Sequence, residues 1–184
     1  REFATRLASQ GYTIENLNLT EVSSIPQNTD VLVIASPQVP LLSGEVDLLK
    51  NHIEKGGNLL WLADPGTIIS PIDRLADALA IEFLPGIIVD PNSQLLGLDR
   101  VDFALVAEYP RHPITQNVAS LSLYPQTQAI EYHGDETQWQ PLNFLVSGDS
   151  SWNETGELKG EIHNDDDADE INGPINIGLT ITRS

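Results

Sequence analysis

Few residues in this chain stand in patterns that do chemistry. The stretch Lys55-Gly56-Gly57-Asn58-Leu59-Leu60-Trp61-Leu62-Ala63-Asp64-Pro65-Gly66 sets a double glycine before a short apolar run and an aspartate where the run stops. An acid at the carboxyl end of a buried strand lies where α/β folds bind ligands. Read as a nucleotide site, Asp64 would need a Gly-x-x-x-x-Gly-Lys-Ser/Thr loop, which the chain lacks. Gly56 and Gly57 cannot replace that loop, because they precede the strand. The structural alternative is a turn, Asp64-Pro65-Gly66, with the carboxylate bonding backbone amides. Ser36-Pro37 ends the preceding apolar run in a similar place, without the Gly-x-Ser-x-Gly elbow of a serine nucleophile. No catalytic residue is assigned on this basis. Ser36, Pro37, Asp64, Gly66 and His112 are the candidate ligand-binding residues.

The four histidines, His52, His112, His133 and His163, match no zinc spacing, so no metal ligands are assigned. His112 stands in Arg111-His112-Pro113-Ile114-Thr115, where a histidine before proline either orders a loop or serves a site. The acidic run Asn164-Asp165-Asp166-Asp167-Ala168-Asp169-Glu170 invites a calcium reading. With Asp165 at loop position one, Asp167 and Asp169 fall correctly. Glu170 then stands where glycine is needed, and Asn176 where the closing glutamate is needed.

Composition narrows the classes. With 184 residues, 40% of them hydrophobic, the chain can bury a core. Asp and Glu number 27 against 9 Lys and Arg, a formal net charge of -18. Such a surface repels phosphate backbones and anionic headgroups, which argues against nucleic-acid and membrane-surface binding. The absence of cysteine excludes disulfides, thiol nucleophiles, iron–sulfur clusters and cysteine-ligated zinc. No apolar run approaches the roughly 20 residues that span a bilayer. The start at Arg1-Glu2-Phe3 reads as an excised piece of a longer protein.

The elements that would position these residues follow from periodicity. Phe3, Ala4, Leu7 and Ala8 recur at helical spacing, with Gly11 as a stop. Tyr12 to Leu19 alternates like a strand. Asp30 to Pro37 is apolar, as a strand covered on both faces would be. Ser43 caps a helix to about Lys55 with Val46, Leu49 and Ile53 inward. Leu59 to Ala63 is the next strand, and Ser70 to Ala80 a second helix with Ile72, Leu75, Ala76 and Leu79 inward. Phe83 to Val89 is strand-like, with Pro85-Gly86 marking an edge or bulge. Further β-like runs lie at Phe103–Ala107, Ala119–Tyr124, Ala129–His133, Leu142–Val146 and Ile175–Ile181.

The alternation over residues 1–90 predicts an α/β core, a three-layer parallel sheet with right-handed crossovers. Residues 91–147 read as a β-rich extension of the same domain, 148–173 as a mobile acidic loop, and 174–184 as a terminal strand.

An ordered set of short pieces then resembles a known family. These are Gln10-Gly11-Tyr12, Ile25-Pro26, Asp30-Val31-Leu32-Val33-Ile34-Ala35-Ser36-Pro37, Leu41-Leu42-Ser43-Gly44-Glu45, Gly56-Gly57-Asn58-Leu59-Leu60-Trp61-Leu62 and Asp64-Pro65. His112-Pro113-Ile114-Thr115, Ser150-Ser151-Trp152-Asn153-Glu154 and Gly173-Pro174-Ile175 continue it. Together they resemble the GldG-like auxiliary components of ABC-type transport systems, related to bacterial gliding motility. The resemblance implies a membrane-anchored protein with a large extracytoplasmic (periplasmic) domain on the bacterial inner membrane, its anchors outside this stretch. Its implied partners are the ABC permease and ATPase subunits or other envelope proteins. It also implies a flavodoxin-like sheet similar to class I glutamine amidotransferases, and a likeness to a domain of ciliary intraflagellar-transport proteins. The amidotransferase chemistry needs a cysteine nucleophile, which is absent. No cofactor is implied.

Three functions follow from these readings. The first is a non-catalytic interaction domain of the transporter accessory protein. The second is a small-molecule or carbohydrate site at the carboxyl edge of the sheet, with Trp139 and Trp152 available to stack on a sugar. The third, least favoured, is a hydrolase using Asp64 or His112. For the acidic run, calcium titration is expected to give roughly millimolar affinity or none, as in weak extracellular sites. Micromolar binding would overturn the reading of a solvated loop.

Overall fold

The computed structural model describes residues 2–37, 39–65, 72–160, 162–165 and 169–183. Helix α1 spans Glu2–Ser9, and none of its residues is buried. A parallel unit follows: strand β1 (Leu32–Ala35), helix α2 (Ser43–Glu54) and strand β2 (Leu59–Leu62). The register pairs Leu32 with Leu59 and Ile34 with Trp61. Val46, Leu49 and Ile53 recur at helical spacing, so they share the buried face of α2. Leu42, not Ser43, is the N-cap; its backbone N–H donates to the Glu45 carboxylate at 2.6 Å. At the far end the Gly57 N–H reaches the His52 carbonyl and the Gly56 N–H that of Ile53, both at 2.9 Å. This Schellman closure requires a left-handed residue, and Gly56 has φ +88. The double glycine is thus a helix stop.

Helix α3 (Asp73–Ala78) packs on α2, and Ile34, Val46, Leu49, Ile53, Ile72, Leu75 and Leu79 form one buried cluster. Strands β3 (Ile81–Phe83) and β4 (Ile87–Val89), short helix α4 (Asn92–Leu95), and strands β5 (Phe103–Val106), β6 (Ser122–Pro125), β7 (Ile130–Tyr132), β8 (Gln140–Val146), β9 (Trp152–Glu154) and β10 (Asn176–Thr182) complete the described elements. The pairs β3–β7, β4–β9, β5–β6 and β8–β10 are all antiparallel. A second cluster, Ile88, Ala104, Val106, Ala129, Ile175 and Ile177, fills their interior. The halves join through Trp61 edge-on to Phe83 at 5.2 Å. Arg183 adds a second tie, lying 4.8 Å over the Trp139 ring and donating to the α2 carbonyls of Ile53 and Glu54.

The expected three-layer, flavodoxin-like (amidotransferase-like) parallel sheet is therefore not formed. Among the described residues the parallel arrangement stops at β1–β2, and the fold is β-rich with small antiparallel sheets. After α3 the chain enters a three-residue strand that pairs with β7, not with β2. The run 81–89 is cut in two because Pro85 lacks an N–H and Gly86 takes φ +93. A Cβ at Gly86 would lie 2.6 Å from the Glu154 carbonyl oxygen, so glycine is needed where β9 approaches, and β3 and β4 take separate partners on either side. Nor is β1–β2 covered on both faces: Val33, Leu60 and Leu62 stay exposed opposite the face that α2 covers. Residues 12–19 form no strand.

Residues 148–173, expected as a mobile acidic loop, contain β9, whose three residues are all buried. Asn153 is 1% exposed. Its Nδ2 donates to the carbonyls of Pro85 (3.1 Å) and Asp169 (3.2 Å), and its Oδ1 accepts from the Ile171 N–H. Ser147 and Ser151 share a 2.6 Å hydroxyl contact, and Ser147 also exchanges hydrogen bonds with the Ile175 backbone. Glu154 accepts from the Trp152 indole and the Gly156 amide. Burial holds the neighbouring Glu170 carboxyl above its ordinary range; the adjoining Glu154 raises it further, against amides of Thr155 and Asp165 that lower it.

Two outcomes follow from this network. Asn153→Ala leaves a buried donor and two acceptors without their partner and is expected to cost about 2–3 kcal/mol in urea unfolding. A raised carboxyl contributes stability fully below its unfolded pKa of about 4.3 and loses that contribution as pH rises through the folded value. Glu170→Gln should therefore flatten the stability curve just above that pH. An unchanged slope would mean that Glu170 titrates as an ordinary surface acid.

Candidate functional site

The carboxyl edge of the parallel pair gathers three of the expected residues. The Ser36 N–H continues the β1–β2 ladder to the Leu62 carbonyl at 2.9 Å. Ser36 and Pro37 are half-buried there, and Asp64 is exposed two residues beyond β2. Ser36 has φ +39, a left-handed conformation uncommon for a non-glycine residue. Gly66 lies outside the described residues.

His112 belongs to a different element, the connection from β5 to β6. Its Nδ1 accepts the Ile114 N–H at 3.2 Å, so the ring proton of the neutral form is on Nε2. Its carbonyl accepts from Thr115 and Gln116, and its ring centroid lies 6.4 Å from that of Phe144 on β8. The buried Thr115 hydroxyl closes the same loop onto the Pro110 carbonyl at 2.7 Å. These bonds give the Arg111–Thr115 stretch a loop-ordering role. The two tryptophans considered for sugar stacking are occupied as well: Trp152 is 7% exposed, and Trp139 lies beneath Arg183.

The densest chemistry lies on β3 and β7. Glu82 and Glu131 face each other as register partners. His133 is two residues after Glu131, on the same face by strand alternation. Its Nε2 is 2.9 Å from Glu82 Oε2 and 3.3 Å from Glu131 Oε2. These three exposed side chains are the group whose ligand atoms converge closely enough to hold a metal among the described residues.

Two cavities flank the pair. One, about 750 Å³, is bordered by Glu131, His133, Glu136, Asn143 and Asn176. The other, about 350 Å³, is bordered by Asp73, Asp77, Glu82 and Gln128 over an apolar floor that includes Phe83. Neither is lined by Ser36, Pro37, Asp64 or His112.

Sequence reasoning missed the β3–β7 grouping because Glu82 and His133 are 51 residues apart. The local signal was the Glu131-x-His133 alternation, which places two polar groups on one strand face.

Among curated proteins, none matches the chain. A solved structure of the mmIFT52 N-terminal domain is similar with a TM-score of 0.59 and 16% identity, covering 82% of this chain and 71% of that one. This likeness concerns the fold alone. It agrees with the resemblance to intraflagellar-transport domains and stands in place of the flavodoxin-like sheet. The sequence model of the auxiliary-component family described as "ABC-type uncharacterized transport system" matches residues 1–184, and the chain belongs to that family.

Proposed function

We propose that residues 1–184 form a non-catalytic docking domain of a membrane-anchored, GldG-like transporter auxiliary protein on the periplasmic side of the bacterial inner membrane. The family match along residues 1–184 is the observation that carries this reading. Its partners are the permease and ATPase of an ABC system, or another envelope protein. The net charge of -18 favours a partner with a basic face, because complementary charge steers encounter and suppresses wrong pairings. No helix among the described residues is long and apolar enough to cross a membrane, and the proposal places the anchors outside residues 1–184.

A ligand-binding domain is the second reading. It is favoured by the left-handed backbone of Ser36 beside Asp64, since strained conformations cluster at ligand sites.

Co-purification from native membranes, with and without residues 1–184 in the full-length protein, separates the two. Recovery of the permease or ATPase is expected only when these residues are present, and to weaken at high salt, which screens exposed charge. Equal recovery in both cases would remove the docking role and leave the ligand-binding reading.

A further inference from the structure

Two glutamates opposite each other on an antiparallel pair repel, and such pairs are destabilising unless something of positive charge lies between them. At Glu82 and Glu131 the ion pairs formed among the described residues are both to His133. An imidazole presents at most one N–H at Nε2, so it satisfies at best one carboxylate well and the second poorly. A divalent cation accepts all three groups at once.

From this geometry we propose that Glu82, Glu131 and His133 bind a borderline divalent cation of the zinc class. With metal–ligand bonds of about 2.0–2.1 Å, neighbouring ligand atoms in octahedral or tetrahedral coordination lie about 2.8–3.4 Å apart. The Nε2–Oε2 separations of 2.9 and 3.3 Å match that spacing, and all three ligand atoms lie within 4.8 Å of one another. An imidazole nitrogen in the set selects zinc-like ions over calcium and magnesium, which prefer oxygen alone. Backbone pairing of β3 with β7 presets the two carboxylates, and the His133 N–H bonded to the Ala80 carbonyl at 2.8 Å holds the third ligand's backbone. Three protein ligands leave coordination open. Glu131 and His133 also border the cavity of about 750 Å³, which has room for water or a donor from a bound molecule there.

The site does not depend on the docking role. Its test is calorimetric titration of the protein with Zn²⁺ alone, repeated in excess Mg²⁺. Saturable one-to-one binding in the micromolar range, undisturbed by Mg²⁺, is expected. His133→Ala, Glu82→Gln and Glu131→Gln should each weaken it at least about tenfold. Glu157→Gln, an acid paired with Lys159 elsewhere on the surface, should leave it unchanged. All three ligand positions are exposed, so the variants are expected to fold, which circular dichroism checks. Substitution by Co²⁺ should give visible ligand-field bands that disappear in His133→Ala. The proposal is overturned if zinc does not bind, if binding is multivalent and insensitive to the three variants, or if Mg²⁺ competes equally. The first of these, joined with a loss of stability in His133→Ala, would identify His133 as a structural bridge between the two glutamates.

Discussion

A single buried amide, Asn153, is the constraint on which the β-rich half depends. Its two ends tie β9 to Pro85 on one side and to Asp169 and Ile171 on the other. An amide taken out of water must find its hydrogen bonds inside the protein. Separating any of these segments would orphan one of them. Ser147 and Ser151 extend the same logic to Ile175 and the start of β10. The network explains how β9, inside a stretch so rich in acids, stays buried: its polar side chains find their hydrogen bonds within the protein.

The remaining cohesion is hydrophobic and comes from two separate clusters. One lies between α2, α3 and the inner face of β1–β2; the other lies under β4, β5 and β10. Ile81, Trp139 and Ile181 of the β-rich half pack against the first cluster. Trp61 against Phe83 joins β2 to β3, and Arg183 ties the last strand to the carbonyl end of α2. Both contacts combine an aromatic surface with a directional partner, which sets orientation as well as affinity.

The arrangement bears on function through where charge collects. Pairing β3 with β7 puts Glu82 and Glu131 side by side, and the flanking cavities add Asp73, Asp77 and Glu136. An acidic, exposed face of this kind suits a cation or a basic partner surface. The parallel edge at Ser36 and Asp64 is a different kind of place, with a strained backbone and an exposed acid outside both cavities.

The sequence by itself determined the local elements whose signals are short-range. The helix of Val46, Leu49 and Ile53, its glycine stop and the apolar strands on either side follow from periodicity and from backbone restrictions within a few residues. The family was legible too, in an ordered set of short pieces, though those pieces carry no site chemistry. Strand partnership was decided only by the tertiary structure. An apolar run states that a strand is buried, not which strand lies beside it, so the parallel sheet was expected to continue where β3 turned to β7. The same reason hid the roles of Asn153 and of Glu82 with His133. Hydrogen-bond satisfaction and ligand convergence act across space, between residues that the chain keeps far apart.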